Sequence, residues 1–277
     1  MARDDEKKPE LPRLLGGRYR PRWKDPPSGS DPDAAPSLVA RDTIVDRELD
    51  LSRLEHGPER VAEREARIAS LRARTTVLSP ALVAVHDAGE WEDDAFLVME
   101  PIERPEAWKD ALAASEPPSL GERLRWGVAL VDAALAVDEA GLALEDTVWE
   151  QSVLDAYRMP RVRGLDRATE RTDERRRATV KALGRLLATL VPEGDEERAS
   201  REALREISES ATRGELSLEA LRARLAAVSG APERERPLLP DIDLEGSKRR
   251  EARALFAGLA FFVLAFVVLV FALTRLR

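Results

Sequence analysis

Residues 141 to 155 read GLALEDTVWEQSVLD and set Asp146 just ahead of a strand-like run. A carboxylate on such a loop can take a proton from an incoming group as a general base, or it can simply organise the loop. Other reactive side chains are scarce. There is no cysteine, and His56 and His86 are the only histidines, so neither a structural zinc site nor a disulfide framework can be built. His86 falls in a strand-like run and has no second ligand type nearby, which makes it a packed or surface residue. The five tryptophans, Trp23, Trp91, Trp108, Trp126 and Trp149, are dispersed, as packing roles require and a stacking platform does not. Trp149 alone stands beside the Asp146 loop.

A chain of 277 residues, 43% hydrophobic and 35% charged, can bury a full core in one large or two small domains. Its formal charge is -8 and no Lys/Arg run stands out along the sequence, which leaves binding to nucleic-acid phosphates without electrostatic support.

Residues 254 to 273, ALFAGLAFFVLAFVVLVFAL, carry no charge, and Leu, Phe or Val fill fourteen of the twenty positions. At about 1.5 Å per residue such a helix spans roughly 30 Å, the hydrocarbon thickness of a bilayer. The sequence therefore predicts a transmembrane helix, with Leu255, Phe256, Phe261, Phe262, Phe266 and Phe271 among its lipid-facing residues. The N-terminus has no apolar segment of a secretory signal, so the expectation is a tail anchor. Lys248, Arg249, Arg250 and Arg253 precede the span and only Arg275 and Arg277 follow it, a bias that keeps the N-terminal part in the cytoplasm.

Charge and proline mark residues 1 to 16 as a flexible N-terminus, and SGAPERERPLLPDIDLEGS, 229 to 247, as a flexible linker. The folded part is expected over 17 to 228, and 248 to 277 form the anchor. Within the folded part, 23 to 37 read as a loop, and β-like runs follow at 37 to 41, 47 to 54, 82 to 89 and 95 to 100. A helix between the second and third runs places Val61, Glu65, Ile68 and Arg72 on one stripe, which turns Glu65 inward. Amphipathic helices are predicted over 120 to 140, 173 to 191, 195 to 212 and 217 to 228.

In this order the strings resemble a bacterial serine/threonine protein kinase domain. SLVARDTIVDRELDLSRL (37 to 54) is similar to the second and third strands of that family, REARIASL (64 to 71) to its regulatory helix, and SPALVAVHDAG (79 to 89) with FLVME (96 to 100) to the following strands and hinge. GLALEDTVWEQSVLD stands at the H-R-D-x-K-x-x-N catalytic loop, PRVRGLDRA (160 to 168) at the D-F-G segment, and VKALGRLLATL (180 to 190) at a buried helix of the large lobe. The resemblance implies an α+β, two-lobed fold with a β-rich small lobe over about 17 to 102 and a helical lobe over about 103 to 228. Abundant alanine and only six lysines among 44 basic residues fit a GC-rich bacterial genome.

The family's functional positions are mostly lost. No glycine-rich loop is present, Ser52 replaces the phosphate-binding lysine, and Asp50 projects with it into the nucleotide cleft. Glu65 matches the helix glutamate without its lysine, so an arginine partner is expected for it. The catalytic-loop lysine becomes Val148 and the metal-binding asparagine becomes Gln151; Asp146 survives, and Asp166 stands at the D-F-G aspartate unless the register shifts to Gly164. The activation segment is largely deleted. The resemblance thus implies a membrane-anchored pseudokinase: a non-catalytic scaffold or signalling module on the cytoplasmic face of the inner membrane, with no cofactor, a protein partner at the bilayer and room for self-association. Two alternatives stand beside it. A divergent kinase would keep ATP over Asp50, Ser52, Met99 and Glu100 and Mg on Gln151 and Asp166, with Asp146 as base; an unrelated membrane adaptor would be nearly all helix.

Overall fold

The computed structural model describes residues 11 to 24, 37 to 192 and 197 to 231. The expected span at 254 to 273, with Leu255, Phe256, Phe261, Phe262, Phe266 and Phe271, lies outside these residues, as does nearly all of 229 to 247. Among the described residues no helix is long and apolar enough to cross a membrane.

The chain is α+β. It opens with strands β1 (Tyr19–Lys24), β2 (Ser37–Asp42) and β3 (Arg47–Leu54), continues through helix α1 (Val61–Ala73), and returns to β4 (Val85–Trp91) and β5 (Asp94–Met99). The five strands form one antiparallel sheet in the order β1-β2-β3-β5-β4. A nearly all-helical architecture is thereby set aside. Every residue of β5 is buried, because it runs between two strands with both faces covered, which explains its unbroken apolar run. Strand β3 alternates instead: Leu49 and Leu51 enter a cluster with Leu15, Tyr19, Trp91, Phe96 and Val98, and Asp50 and Ser52 take the opposite face.

The N-terminal boundary differs from the expectation. Leu15, within the segment predicted to be flexible, is 3% exposed and packed in that cluster. Gly16 and Gly17, at φ 55° and 68°, turn the chain back so that Leu15 and Tyr19 exchange main-chain hydrogen bonds of 2.8 and 3.0 Å.

The turn between β2 and β3 is organised by Asp42, which is fully buried. Arg18 donates to both its oxygens, at 3.0 and 2.6 Å, and the N–H groups of Ile44 and Val45 donate to Oδ1 at 3.0 and 3.4 Å. The Arg18 guanidinium, aided by those N–H groups against the opposing effect of burial, holds the Asp42 carboxyl down at about 2.

The remainder is helical with short strand pairs: β6 (Glu106–Ala107), α2 (Trp108–Leu112), α3 (Leu120–Glu139), β7 (Leu142–Ala143), α4 (Asp146–Glu150), β8 (Val153–Leu154), β9 (Pro160–Arg161), β10 (Thr169–Glu170), α5 (Asp173–Thr189), α6 (Arg198–Arg213) and α7 (Leu218–Ser229). A reciprocal cap between Ser119 and Glu122 starts α3, whose apolar face joins α5 and α7 in the larger core. The same core includes Val85, Leu97 and Met99, so it runs from the sheet into the helices. Helix α5 begins at Asp173, capped by Thr172, at the start predicted for it, which leaves a short segment after Asp166.

Candidate functional site

The face of β3 that carries Asp50 and Ser52 looks toward the helical part, as its alternation predicts. Asp50 lies opposite Met99 and Ser52 opposite Leu97 in the strand register. From the helical part, residues 160 to 163 rise to meet this face. Val162 donates to Ala81 O at 2.7 Å and accepts from Val83 N at 3.0 Å, while Glu100 N donates to Ala84 O at 3.0 Å. With Pro160 and Val162 buried, Arg161 and Arg163 are turned the other way, and Arg163 donates to the Asp50 carboxylate and Arg161 to Glu100. Arg161 also reaches Pro80 O at 2.9 Å. The carboxylate that enters the cleft is therefore neutralised by the protein itself. Ser52 brings no charge there, and Arg53 turns away to Asp94 at 2.7 Å.

Glu65 does not point inward. It is exposed, and among the described residues it forms no ion pair, so the expected arginine partner is not found. The buried stripe of α1 is Arg64, Ile68 and Leu71, whereas Val61, at the head of the predicted stripe, is 45% exposed. Both stripes have helical spacing; the observed one lets the long stem of Arg64 cover apolar surface with its head 3.9 Å from Glu90, which a short glutamate cannot do. Glu65 instead edges a cavity of about 600 Å³ with Ile68, Arg72, Asp87, Glu90 and Phe96.

Arginines tie α1 to the helical part in place of a glutamate. Arg67 donates to Asp166 O at 2.5 Å. Arg74, 6% exposed, donates to Leu165 O at 2.8 Å, Asp166 O at 2.6 Å, Ala168 O at 2.7 Å and Ser70 Oγ at 3.2 Å. Burial, then the neighbouring Arg67, holds the Arg74 guanidinium below its ordinary value. The fork geometry of arginine suits this task, since one planar group meets three carbonyls of a single turn.

Asp146 opens α4 and is held by Arg185 of α5, whose Nη2 is 3.3 Å from Asp146 Oδ2 and 3.1 Å from Glu150 Oε1. Val148 is buried at 5% exposure against Gly164; a Cβ at Gly164 would stand 2.6 Å from Val148 Cγ1. Apolar contact thus occupies the place where the kinase resemblance calls for a lysine. Trp149 is wholly buried in the core.

Gln151 is exposed and edges an apolar cavity of about 530 Å³ with Trp108, Leu112, Val153, Leu186 and Thr189. Asp166 lies beneath α1, its carboxylate 3.8 Å from Arg167. Among the described residues no three His, Cys, Asp or Glu side chains are grouped to hold a metal ion.

Sequence reasoning missed Arg67, Arg74, Arg161 and Arg163. The last two were marked by the alternation in PRVRG, where small buried residues separate two arginines on one face. Compared with known proteins, the chain matches no protein-family model and no curated protein sequence.

Proposed function

We propose that this chain is a degenerate protein-kinase-like domain that works by binding and not by phosphoryl transfer, tethered by residues 254 to 273 to the cytoplasmic face of the inner membrane. The fold reading is supported by element order: strands at 37–42, 47–54, 85–91 and 94–99, a helix inserted after the second of these, and a helix at 173–189 that is buried from Thr179 onward follow the order the resemblance implies. The observation that carries the non-catalytic reading is Arg163 on Asp50. A nucleotide entering there would need to break that pair and would meet a carboxylate with no lysine at position 52. Phosphoryl transfer depends on positioned positive charge around the phosphates, and Arg163, Arg161, Arg67 and Arg74 are already committed to Asp50, Glu100 and main-chain carbonyls. Asp146, paired to Arg185, then serves as a loop organiser. A domain of this kind acts through its surface, and tethering raises its effective concentration for partners at the same bilayer.

Calorimetry of ATP binding to the full chain in detergent micelles, with and without Mg, tests this reading. No heat of binding is expected in either condition. Tight Mg-dependent binding would establish the divergent-kinase alternative in its place.

A further inference from the structure

The turn after β2 presents Ile44 and Val45 to water, 72% and 54% exposed. Their display is rigid. Asp42 fixes both N–H groups from below, and Arg41 closes the turn on Asp46 at 2.5 and 2.7 Å. Around this apolar tip and along the neighbouring edge strand stand Arg18, Arg20, Arg22, Lys24, Arg41 and Arg47; Asp42 holds Arg18, Asp46 holds Arg41, and Glu48 is shared by Arg22 and Lys24. This is an excess of cations in a chain whose overall charge is -8. Four of the six cations lie in one short stretch, RYRPRWK (18 to 24), and the β1–β2 pairing adds Arg41 to them by setting it directly opposite Arg20. Cations on an edge strand also discourage edge-to-edge pairing, but that role gives no reason to hold two branched apolar side chains in water at the adjoining turn.

We infer that this hairpin tip docks on an anionic lipid surface, with Ile44 and Val45 entering the headgroup boundary and the arginines around them meeting lipid phosphates. The chemistry is that of interfacial binding, in which a small buried apolar area and a basic rim act together. The proposal rests on the anchor reading above for its geometry. Between Ala231 and the start of the span at residue 254 the chain can extend no farther than about 80 Å, so on that reading the domain is kept close to a bilayer.

The absence of cysteine permits a single label. The full chain carrying Val45→Cys, modified with an environment-sensitive fluorophore, is placed in lipid nanodiscs of phosphatidylcholine with or without phosphatidylglycerol. With phosphatidylglycerol the emission shifts to the blue and an aqueous quencher loses access; added salt reverses both. Replacing Arg20 and Lys24 by glutamine lowers the docked-to-undocked ratio about fivefold for each charge removed. A label equally wet in both lipids, or one buried only when membrane proteins are added, overturns the inference. Resistance to carbonate extraction reports the anchor separately: a chain that stays in the membrane with a wet label refutes docking alone. A chain that is extracted refutes the anchor, and the label's response to added phosphatidylglycerol vesicles then decides docking.

Discussion

Replacing Arg74 by methionine keeps the packed stem and deletes the group that joins α1 to the 165–168 turn. Three main-chain carbonyls, at 2.6 to 2.8 Å, and Ser70 Oγ lose their donor. Hydrogen bonds from a charged donor contribute about 1.5–3 kcal/mol each, so the gross loss is several kcal/mol. Against it stands relief from desolvating a buried guanidinium, the main cause of its lowered pKa. The net expectation is a destabilisation of about 3 kcal/mol, since the carbonyls are left behind without replacement. Arg67→Ala, which removes a single half-buried bond to Asp166 O, should cost about 1 kcal/mol and serves as the control. Chemical denaturation of the full chain in micelles, followed by tryptophan fluorescence, reads the stability. Hydrogen exchange reads its distribution, and protection should fall together in the last turn of α1 and in 165–168. An Arg74→Met chain within about 0.5 kcal/mol of the parent, or protection lost in only one of the two segments, would refute the clamp.

Two further outcomes follow from the packing. Because the folded Asp42 carboxyl sits near 2, below its ordinary 3.8, its contribution to stability is complete above pH 3.8 and disappears as the pH falls toward 2. It is worth about 1–2 kcal/mol once the partial exposure of Arg18 is discounted, and Asp42→Asn should abolish that part of the acid slope in pH-dependent unfolding. Gly164→Ala should cost about 2–3 kcal/mol, part from the φ of 154° and part from the clash with Val148. Measured against Val148→Ala as the reference, Gly164→Ala should cost only the backbone strain; a cost the same as in the parent chain, read from the thermal midpoints, would show that the two residues are not in contact.

Much of the architecture was legible because the periodicities are strong. Two predicted helices, 120 to 140 and 217 to 228, lie within a residue of α3 and α7 at each end, and the β-like runs at 37 to 41 and 47 to 54 match β2 and β3. Strand β1 was hidden by Pro21, which its edge position tolerates, although Tyr19, Pro21 and Trp23 alternate with Arg20, Arg22 and Lys24 as a half-buried strand should. The phase of α1 was misread because arginine has two characters. Counted as polar, Arg64 cannot head a buried stripe; with its methylene stem it can, and Glu65 then turns to solvent. The placement of Asp50 and Ser52 followed from strand alternation alone. The arginines that answer them lie more than a hundred positions away for Asp50 and come into register only through the Val162 bridge to residues 81 and 83.

That bridge fixes more than a register. Residues 160 to 163 bind the sheet by main chain at Val162 and by side chain at Glu100 and Asp50, so opening the cleft means breaking a short strand pairing and two ion pairs at once. Each contact is modest alone, and it is their number that makes the joint resist opening. On the proposed reading, a partner or ligand that opened this cleft would have to replace all of these contacts together.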